Sequence, residues 1–409
     1  MLRTLPVGLL TAAASLGASA PAHAQPTPSQ SQNVRFQGAP RFGSSDGWSI
    51  KPRGRVQYDF GHISRPDGIT VDGLGSVDEL RRARIGIEGT APHGFSYVFE
   101  IDVAPEVVEI TDAQISYKAS DRITLTLGQH NNFQSLEELT SSRFSSFIER
   151  AAFTDVFGFE RRLGLSGTLI SGPVTAQFGV FHDNLLDIDD GDSAIGVDAR
   201  FAYGPRLGET QLHLGASFHW RDNGDLVANG VNTRYRQRPL VHATDVRFVA
   251  TPSLPVDQET GFGLEAAMIR GPFHAAAEAY WLSADSIAPA ASPNLFGGYA
   301  EIGWFLTGEQ RGYRGAKFDR TRVRRSIEEG GFGALQLNLR YDYLDLNSGS
   351  VRGGIQRGVQ AGIIWIPTDH ARLLLNYARL SYDDAVIAAA NGDRDYRVDV
   401  VAVRAQIDF

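Results

Sequence analysis

VAVRAQIDF, residues 401–409, ends the chain with an alternation of side chains. Apolar Val, Ala, Ile and Phe occupy the odd positions, and the even positions from 404 onward hold Arg, Gln and Asp. Successive side chains of a β-strand point to opposite faces of its sheet, so the stretch predicts a strand with one apolar and one polar face. The same pattern recurs in FSYVFEIDV (95–103) and LQLNLRYDY (335–343).

The length of the alternating segments distinguishes two kinds of β-protein. Strands of soluble sandwiches most often have about five or six residues, whereas a tilted strand needs about ten to cross a bilayer. Roughly sixteen segments of the longer kind follow residue 53, and an even number is typical of bacterial barrels. Short connections such as 171–173 alternate with long ones such as 131–160 and 221–260, and 307–330 is long where a short one is expected. We therefore predict an all-β fold, a transmembrane antiparallel β-barrel of about 16 strands; a large soluble β-protein is the alternative.

Composition divides the chain into three parts. Residues 1–24 have the features of a signal peptide, with a basic start, an apolar stretch and an A-x-A site before Gln25. Residues 25–50 are rich in Gln, Ser, Pro and Gly and predict a flexible lead-in. Residues 51–409 are predicted to form the barrel. The chain has no cysteine, which excludes a disulfide framework, and its formal charge of -8 argues against nucleic acid as a partner.

Aromatic residues on the apolar face mark the ends of the predicted strands, as in the girdles of outer-membrane barrels. Trp220 and Trp281 lie at the ends away from the short turns, which predicts the outer girdle. The predicted periplasmic belt consists of Tyr117, Tyr203, Phe273, Trp365 and the terminal Phe409.

Catalytic motifs are missing from the sequence, which contains neither H-E-x-x-H nor G-x-S-x-G. His213 and His219 share the polar face of one segment, but six residues of strand span about 20 Å, too far for one metal ion. We predict no catalytic residue, cofactor or metal site. Two other functions remain open: a barrel enzyme acting on lipid or peptide, which needs a Ser or Asp beside a His on the outer face or rim, and a non-conducting structural barrel with large apolar side chains in its lumen.

Arginine dominates the basic residues, since the 39 Lys and Arg residues include only three lysines, Lys51, Lys118 and Lys317. The guanidinium group stays charged and offers a planar fork of donors that suits oxyanions. Lumen-facing parity on the first strands predicts an anion path along Arg53, Arg55, Arg82 and Arg84. Arg81 has the opposite parity and is predicted near a rim.

An alternative role for these arginines is to pair with lumen acids and stiffen the barrel wall. The candidate partners are Asp59, Glu88, Glu100 and Asp102.

Two connections carry further candidate residues. Loop 131–160 is predicted to fold into the bore and set its constriction, with Gln134, Ser135, Ser141 and Ser142 at the narrowest point and Arg143 and Arg150 on the anion path. Connection 307–330 is predicted to gather anions at the periplasmic mouth, unless it is simply a solvated basic loop. Its candidate residues are Arg311, Arg314, Arg322 and Arg324.

Several stretches, in this order and spacing, resemble the phosphate-selective porin O and P family of Gram-negative outer membranes. The likeness runs from about residue 50 to Phe409. The matching stretches are RRARIGIEG (81–89), LGQ (127–129), SLEELTSS (135–142), IER (148–150), WFLTGE (304–309) and RYDYLDL (340–346).

The resemblance implies a sixteen-stranded trimeric barrel with an inward-folded third loop and an arginine ladder leading phosphate to a central site. It also implies an outer-membrane location, among lipids and lipopolysaccharide, and a terminal aromatic, here Phe409, read by the outer-membrane assembly machinery. Phosphate-selecting members use a periplasmic lysine cluster that three lysines cannot form. We therefore predict an outer-membrane porin for passive diffusion of small solutes, with a preference for anions better supported than selectivity for phosphate.

Overall fold

The computed structural model describes residues 38–188, 193–227 and 229–409. The predicted signal peptide and residues 25–37 of the predicted lead-in lie outside these ranges. Sixteen long strands in the described part form one antiparallel sheet that closes on itself, which confirms the predicted transmembrane β-barrel. No helix in these ranges is both long and apolar enough to cross a membrane.

The barrel strands are numbered here in chain order. Their bounds are β1 (Ser49–Ile63), β2 (Gly75–Ala91), β3 (Phe95–Asp102), β4 (Glu109–Lys118), β5 (Ile123–Asn131), β6 (Arg161–Ser171), β7 (Val174–Phe181), β8 (Ile195–Tyr203), β9 (Thr210–Asp222), β10 (Val256–Arg270), β11 (Phe273–Ser286), β12 (Asn294–Phe305), β13 (Ala334–Ser348), β14 (Val351–Thr368), β15 (Ala371–Asp383) and β16 (Tyr396–Asp408).

Shorter elements lie outside the barrel wall or extend its edges. Two α-helices occur in the connection after β5, α1 (Leu136–Leu139) and α2 (Ala152–Val156). The short strands are Phe42–Gly43, Arg206–Leu207, Arg236–Gln237, Val249–Ala250, Gly312–Arg314 and Lys317–Asp319, and the 3-10 turns are Pro92–Gly94, Gly224–Leu226, Ile327–Glu329 and Ala390–Gly392.

The barrel closes where β1 meets β16. Cα partners run from Arg55 opposite Asp408 to Ile63 opposite Val400. Phe409 continues this ladder beyond β16, because its N–H donates to the carbonyl of Gly54 at 3.0 Å and its carbonyl accepts from the N–H of Gly54 at 3.2 Å. The C-terminal residue therefore belongs to the seam, and its ring lies over the side of Gly54 where a Cβ would stand.

Side chains alternate across the wall as the sequence predicts. On β1 the apolar Val56, Tyr58 and Phe60 are exposed on the outer face, whereas Gln57 and Asp59 between them are buried in the lumen. Aromatic pairs mark both ends of the outer face. The rings of Phe273 and Trp304 are stacked with centroids 5.5 Å apart, and the rings of Trp281 and Phe296 are tilted with centroids 5.2 Å apart.

Long connections enter the barrel from the side of the predicted external loops. Loop 3 (132–160) carries α1 and α2, and loop 5 (223–255) covers the entrance above it. The inward-folded third loop is thus confirmed. The connection between β13 and β14, residues 349–350, is a tight turn on this same side and breaks the alternation of connection lengths.

Loops 3 and 5 pack against one half of the barrel wall, and their apolar side chains fill that half of the lumen. Phe153 of α2 stacks between Tyr280 and Tyr299, with ring centroids 6.2 and 6.3 Å away. The buried cluster continues along the outer ends of β10–β16, where Leu282, Leu295, Leu344, Leu380 and Val398 face the lumen. Beneath these loops, the two large cavities of the described residues lie on the other side of the bore, next to β1, β2 and β4–β7.

A connection also enters from the opposite, periplasmic end. The periplasmic hairpin (306–333) pairs Gly312–Arg314 with Lys317–Asp319 and folds into the bore. Its Phe318 is 1% exposed, and the N–H of Phe318 donates to the Thr140 hydroxyl of loop 3 at 3.3 Å. The alternative of a simply solvated basic loop is therefore wrong for this part of the connection.

Deletion of Phe409 should impair barrel formation more than its replacement by alanine. The deletion removes both backbone hydrogen bonds to Gly54 at the seam, whereas Phe409→Ala keeps these bonds and loses only the ring. Refolding into lipid vesicles, followed by heat-modifiable migration in gels, measures the barrel fraction without assembly machinery. Equal yields for the two variants would contradict a seam role for the backbone of Phe409.

Candidate functional site

Within the described residues, three cavities follow one another along the barrel. An outer vestibule of 450 Å³ lies beneath loops 3 and 5, and an inner cavity of 290 Å³ lies deeper, beside β1, β2 and loop 3. The periplasmic mouth, 500 Å³ in volume, lies between the periplasmic hairpin and the seam. Arg143 lines both the inner cavity and the mouth, so these two cavities are adjacent.

The charge of the lining changes from one cavity to the next. Six arginines and six carboxylates of the described chain line the outer vestibule, so its charges balance. In the inner cavity, eight cations face two carboxylates, Asp112 and Glu138, in the same part of the chain. The eight cations are Arg53, Arg55, Arg82, Arg84, Arg143, Arg150, Arg161 and Lys317.

Three of the four predicted wall arginines form ion pairs. Glu100 lies between them, with its carboxylate 3.0 Å from Arg53, 3.3 Å from Arg55 and 3.4 Å from Arg84. Arg84 also binds Asp102 at 2.8 Å. Glu88 lies 3.8 Å from Arg53. The structure therefore brings the predicted arginines together in the bore and, at the same time, places three of the predicted acid partners among them.

Arg82 has a different environment. Its guanidinium donates to the amide oxygen of Gln57 at 2.9 Å, and it is only 7% exposed. No carboxylate of the described residues forms an ion pair with Arg82 or with Lys317. The charge of these two cations is therefore not offset by a directly paired acid of the described residues.

Arg81 does not lie near a rim, contrary to the prediction. Gln57 is opposite Arg82, but Tyr58 is opposite Leu80, so Arg81 is the extra residue of a β-bulge. The bulge turns Arg81 into the lumen, where it binds Glu149 of loop 3 at 3.1 Å. A bulge reverses parity beyond it, and the alternation in the sequence does not signal its position.

The four predicted constriction residues divide into two pairs. Ser141 and Ser142 line the inner cavity, and the Ser142 hydroxyl accepts a hydrogen bond from Arg55 at 2.7 Å. Gln134 and Ser135 do not line it: Gln134 is buried against the wall, where it donates to Asp198 at 2.8 Å. Ser135 begins α1, and its hydroxyl accepts from the N–H of Glu138 at 3.2 Å.

Arg150 holds loop 3 in its folded shape. It donates to the carbonyls of Glu137, Glu138 and Thr140 at 3.0–3.1 Å, and it also binds the Glu138 carboxylate at 3.0 Å. Cations near a helix C-terminus satisfy carbonyls that have no partner within the helix. Arg150 therefore serves as a cap for α1 as well as a charge of the inner cavity.

Loop 3 is bound to the wall along its length. Arg340 of β13 binds Glu137 at 2.7 Å and Glu301 at 2.5 Å, while its guanidinium lies over the ring of Phe147 at 4.5 Å. Glu278 of β11 accepts from the N–H groups of Leu136 and Glu137, which begin α1, at 2.9 and 2.7 Å. The constriction is therefore set by many short, buried contacts rather than by the loop alone.

The predicted mouth arginines occupy different places. Arg314 and Arg322 line the periplasmic mouth with side chains 83% and 81% exposed, paired with Asp319 and Asp369. Arg324 is exposed but does not line this cavity. Arg311 is buried instead, where it donates to the Phe144 carbonyl at 3.1 Å and lies 4.0 Å above the Phe318 ring.

Arg161 and Lys317 of the inner cavity were not among the predicted site residues. Arg161 begins β6 and binds Asp112 at 3.1 Å. Arg161 directly follows loop 3 in the sequence, and this position could have indicated that its side chain lines the inner cavity. Lys317 reaches the cavity only because the periplasmic hairpin folds inward, which nothing in its sequence indicates.

Two charged residues of the inward-folded connections, Glu149 and Lys317, have shifted pKa values. Burial alone would raise the pKa of Glu149, but Arg81, Arg404 and Arg82 hold it well below its usual range. Burial lowers the pKa of Lys317, and nearby Arg200 lowers it further. Glu149 therefore stays ionised, while Lys317 loses its charge more readily than a free lysine as the pH rises.

The described residues include two Ser–His hydrogen bonds, Ser166 Oγ to His130 Nε2 at 2.7 Å and Ser76 Oγ to His62 Nδ1 at 3.2 Å. Ser166 and His130 are buried in the lumen wall, whereas Ser76 and His62 are exposed at the outer ends of β1 and β2. No carboxylate of the described residues binds His62 there to complete a catalytic triad. Among the residues in the described ranges, no group of three or more His, Asp or Glu side chains is placed to hold a metal ion.

Comparison with known proteins identifies relatives of the whole barrel. Residues 50–409 match the family described as phosphate-selective porin O and P. An uncharacterized protein of Caulobacter vibrioides is 45% identical over 406 residues, covering 97% of this chain and 81% of the relative. Porin O of Pseudomonas aeruginosa is 25% identical over 436 residues, with 97% of each chain covered.

Solved structures share the fold at low sequence identity. An anion-selective porin from Comamonas acidovorans superposes with a TM-score of 0.58 at 13% identity, over 88% of this chain and all of that one. The trimer form of OmpT from Vibrio cholerae gives 0.55 at 8% identity, over 89% of this chain and all of its own.

Replacing Arg340 by methionine should destabilise the barrel by about 3–5 kcal/mol, because the carboxylates of Glu137 and Glu301 would remain buried without their shared cation. Thermal unfolding in detergent, followed by tryptophan fluorescence, measures the change. Arg314→Met is the matched control, since this exposed pair should contribute less than about 1 kcal/mol. Equal effects would show that Arg340 does not anchor loop 3.

Proposed function

The chain belongs to the phosphate-selective porin O and P family, and we propose that its channel passes small anions in preference to cations. The protein is an outer-membrane porin, and its family and fold are those of a channel rather than an enzyme. The observation that supports anion preference is the lining of the inner cavity, where the described residues place eight cations against two carboxylates.

A solute from outside first meets balanced charges and then a region of positive potential. In the outer vestibule neither sign of ion is favoured by the lining. In the inner cavity a chloride or phosphate ion gains attraction from several guanidinium groups, whereas a cation is repelled. Diffusion down a concentration gradient needs no covalent step, so none is proposed.

The cations of the inner cavity and the mouth contribute unequally to the proposed anion preference. Arg82 and Lys317 attract anions directly, because no carboxylate of the described chain pairs with them. Arg53, Arg55 and Arg84 share Glu100 and therefore add less charge, but their shared acid keeps them extended into the bore. Beyond Arg143, the exposed Arg314 and Arg322 sustain a positive potential at the periplasmic mouth.

Hydroxyl groups complete the proposed path. Ser141 lines the inner cavity beside Arg143, whose Nε lies 3.2 Å from the Ser141 hydroxyl. A hydroxyl can donate to an anion that has lost part of its water shell. The predicted roles of Gln134, Ser135 and Arg311 are replaced by structural ones, because their polar groups are bound to the wall or to loop 3.

Phosphate is proposed as one permeant anion rather than as the selected one. The family description names phosphate, but the single described lysine on the inner cavity, Lys317, does not form a cluster. Guanidinium groups that are already paired with carboxylates have fewer free donors for an oxyanion.

We also propose a homotrimer, supported by the trimer form of OmpT among similar folds. The exposed apolar face and its aromatic girdles fit contact with outer-membrane lipids and lipopolysaccharide. Recognition of Phe409 by the outer-membrane assembly machinery belongs to the same proposal. Native mass spectrometry of the extracted protein would test the trimer, and a monomeric mass would contradict it.

Arg82→Gln and Arg84→Gln should have different effects. Arg82→Gln removes a cation bound only to a neutral amide, so the reversal potential in a KCl gradient should move toward cations at a stability cost of about 0.5–1.5 kcal/mol. Arg84→Gln leaves Asp102 and Glu100 short of a partner and should cost about 1–3 kcal/mol. Planar-bilayer recording and thermal unfolding measure the two effects. A cation-selective wild-type channel would refute the proposed anion preference.

Phosphate should reduce chloride current only at concentrations comparable with that of chloride. Paired arginines and a single lysine bind phosphate weakly, so competition should be gradual. Titrating phosphate into a chloride-conducting channel in a planar bilayer measures the half-blocking concentration. Block by traces of phosphate would instead establish a selective site.

A further inference from the structure

Five described residues line both the outer vestibule and the inner cavity and thus form a neck between them. They are Arg82, Arg84, Arg150, Arg161 and Glu138. An ion that crosses from one cavity to the other passes all five. Glu138 is the one carboxylate among them, so it offsets the positive charge at the point of passage.

The contacts around Glu138 allow its charge to be removed without displacing the neighbouring Arg150. Its carboxylate binds Arg150 at 3.0 Å and its side chain is 7% exposed. Arg150 is also held by three carbonyls of loop 3, at 3.0–3.1 Å. Loss of the Glu138 charge would therefore leave Arg150 in place and free its charge toward the neck.

We propose that Glu138 determines how strongly the neck prefers anions over cations. Ionised, Glu138 lowers the positive potential and lets an anion leave the inner cavity again. Protonated or replaced by glutamine, it leaves the neck lined by four arginines and no ionised carboxylate, so anions bind more tightly and cations are repelled more strongly. An anion is conducted only if it binds weakly enough to be released, and the ionised Glu138 carboxylate weakens anion binding in the neck. The inference rests on the proposed anion channel.

Protonation of Glu138 would make this preference depend on pH. The groups facing it are Arg82 and Arg84 of β2, Arg161 of β6, and Arg150 and Glu137 of loop 3. Burial raises the pKa of Glu138, against the attraction of Arg150, Arg161 and Arg82, and Glu137 raises it further. A raised pKa means that acidification neutralises Glu138 earlier than a free glutamate, so anion preference increases as the pH falls.

Glu138→Gln tests the proposal in planar bilayers under a KCl gradient at neutral pH. One added charge at a separation of about 8 Å, at a water-like dielectric constant, changes the occupancy of each ion about twofold in opposite directions. The ratio of anion to cation permeability should therefore rise roughly fivefold. The chloride concentration at which the current saturates should fall. Glu106→Gln, which makes the same charge change on exposed loop residues 103–108, should leave both values unchanged.

The pH dependence provides a second measurement that needs no substitution. Mild acidification should move the wild-type permeability ratio toward that of Glu138→Gln, while the ratio of the variant itself stays constant. An unchanged ratio in Glu138→Gln, or an equal shift of both proteins with pH, would overturn the role of Glu138. A wild-type channel that prefers cations would instead refute the anion channel itself, so the two failures are distinguishable.

Discussion

Hydrogen bonding of the backbone across the seam between β1 and β16 is the constraint on which the other features depend. Inside a bilayer no water is available to an unpaired N–H or C=O group, so a spanning sheet must close. Closure determines that alternate side chains face a common lumen, and this parity directs polar and charged groups inward on every strand. Phe409 extends the pairing by one residue, to Gly54.

Closure creates a lumen wide enough to need further narrowing, and the chain narrows it from both ends. Loop 3 descends from outside and is held by wall residues such as Arg340 and Glu278, while the periplasmic hairpin rises to meet it. Buried ion pairs of this kind contribute little net stability but are costly to break, which makes them suited to fixing one arrangement. In the inner cavity this packing leaves Arg82 and Lys317 without a paired carboxylate of the described residues, and these two cations contribute most directly to its positive lining.

Much of this architecture could be predicted from the sequence, because strand parity is a local property. The barrel, its apolar face and the inward direction of Arg53, Arg55, Arg82 and Arg84 all follow from alternation. Arg81 could not be placed, since a bulge adds one residue without a sequence signal. Gln134 and Arg311 were misassigned because their environment depends on how distant segments pack. The apolar filling did leave a signal, as Leu282, Leu295 and Leu344 all occur at lumen parity.

This filling has an electrical consequence. Apolar side chains have no dipoles that reorient and so form a medium of low dielectric constant. The half of the lumen occupied by loops 3 and 5 therefore acts as an insulator beside a narrow column of water. Field lines from the arginines are confined to that column instead of spreading through a wide aqueous pore. The few charges of the inner cavity therefore act over a longer distance than they would in an open barrel, and the shape of the insulator sets the selectivity together with the number of cations.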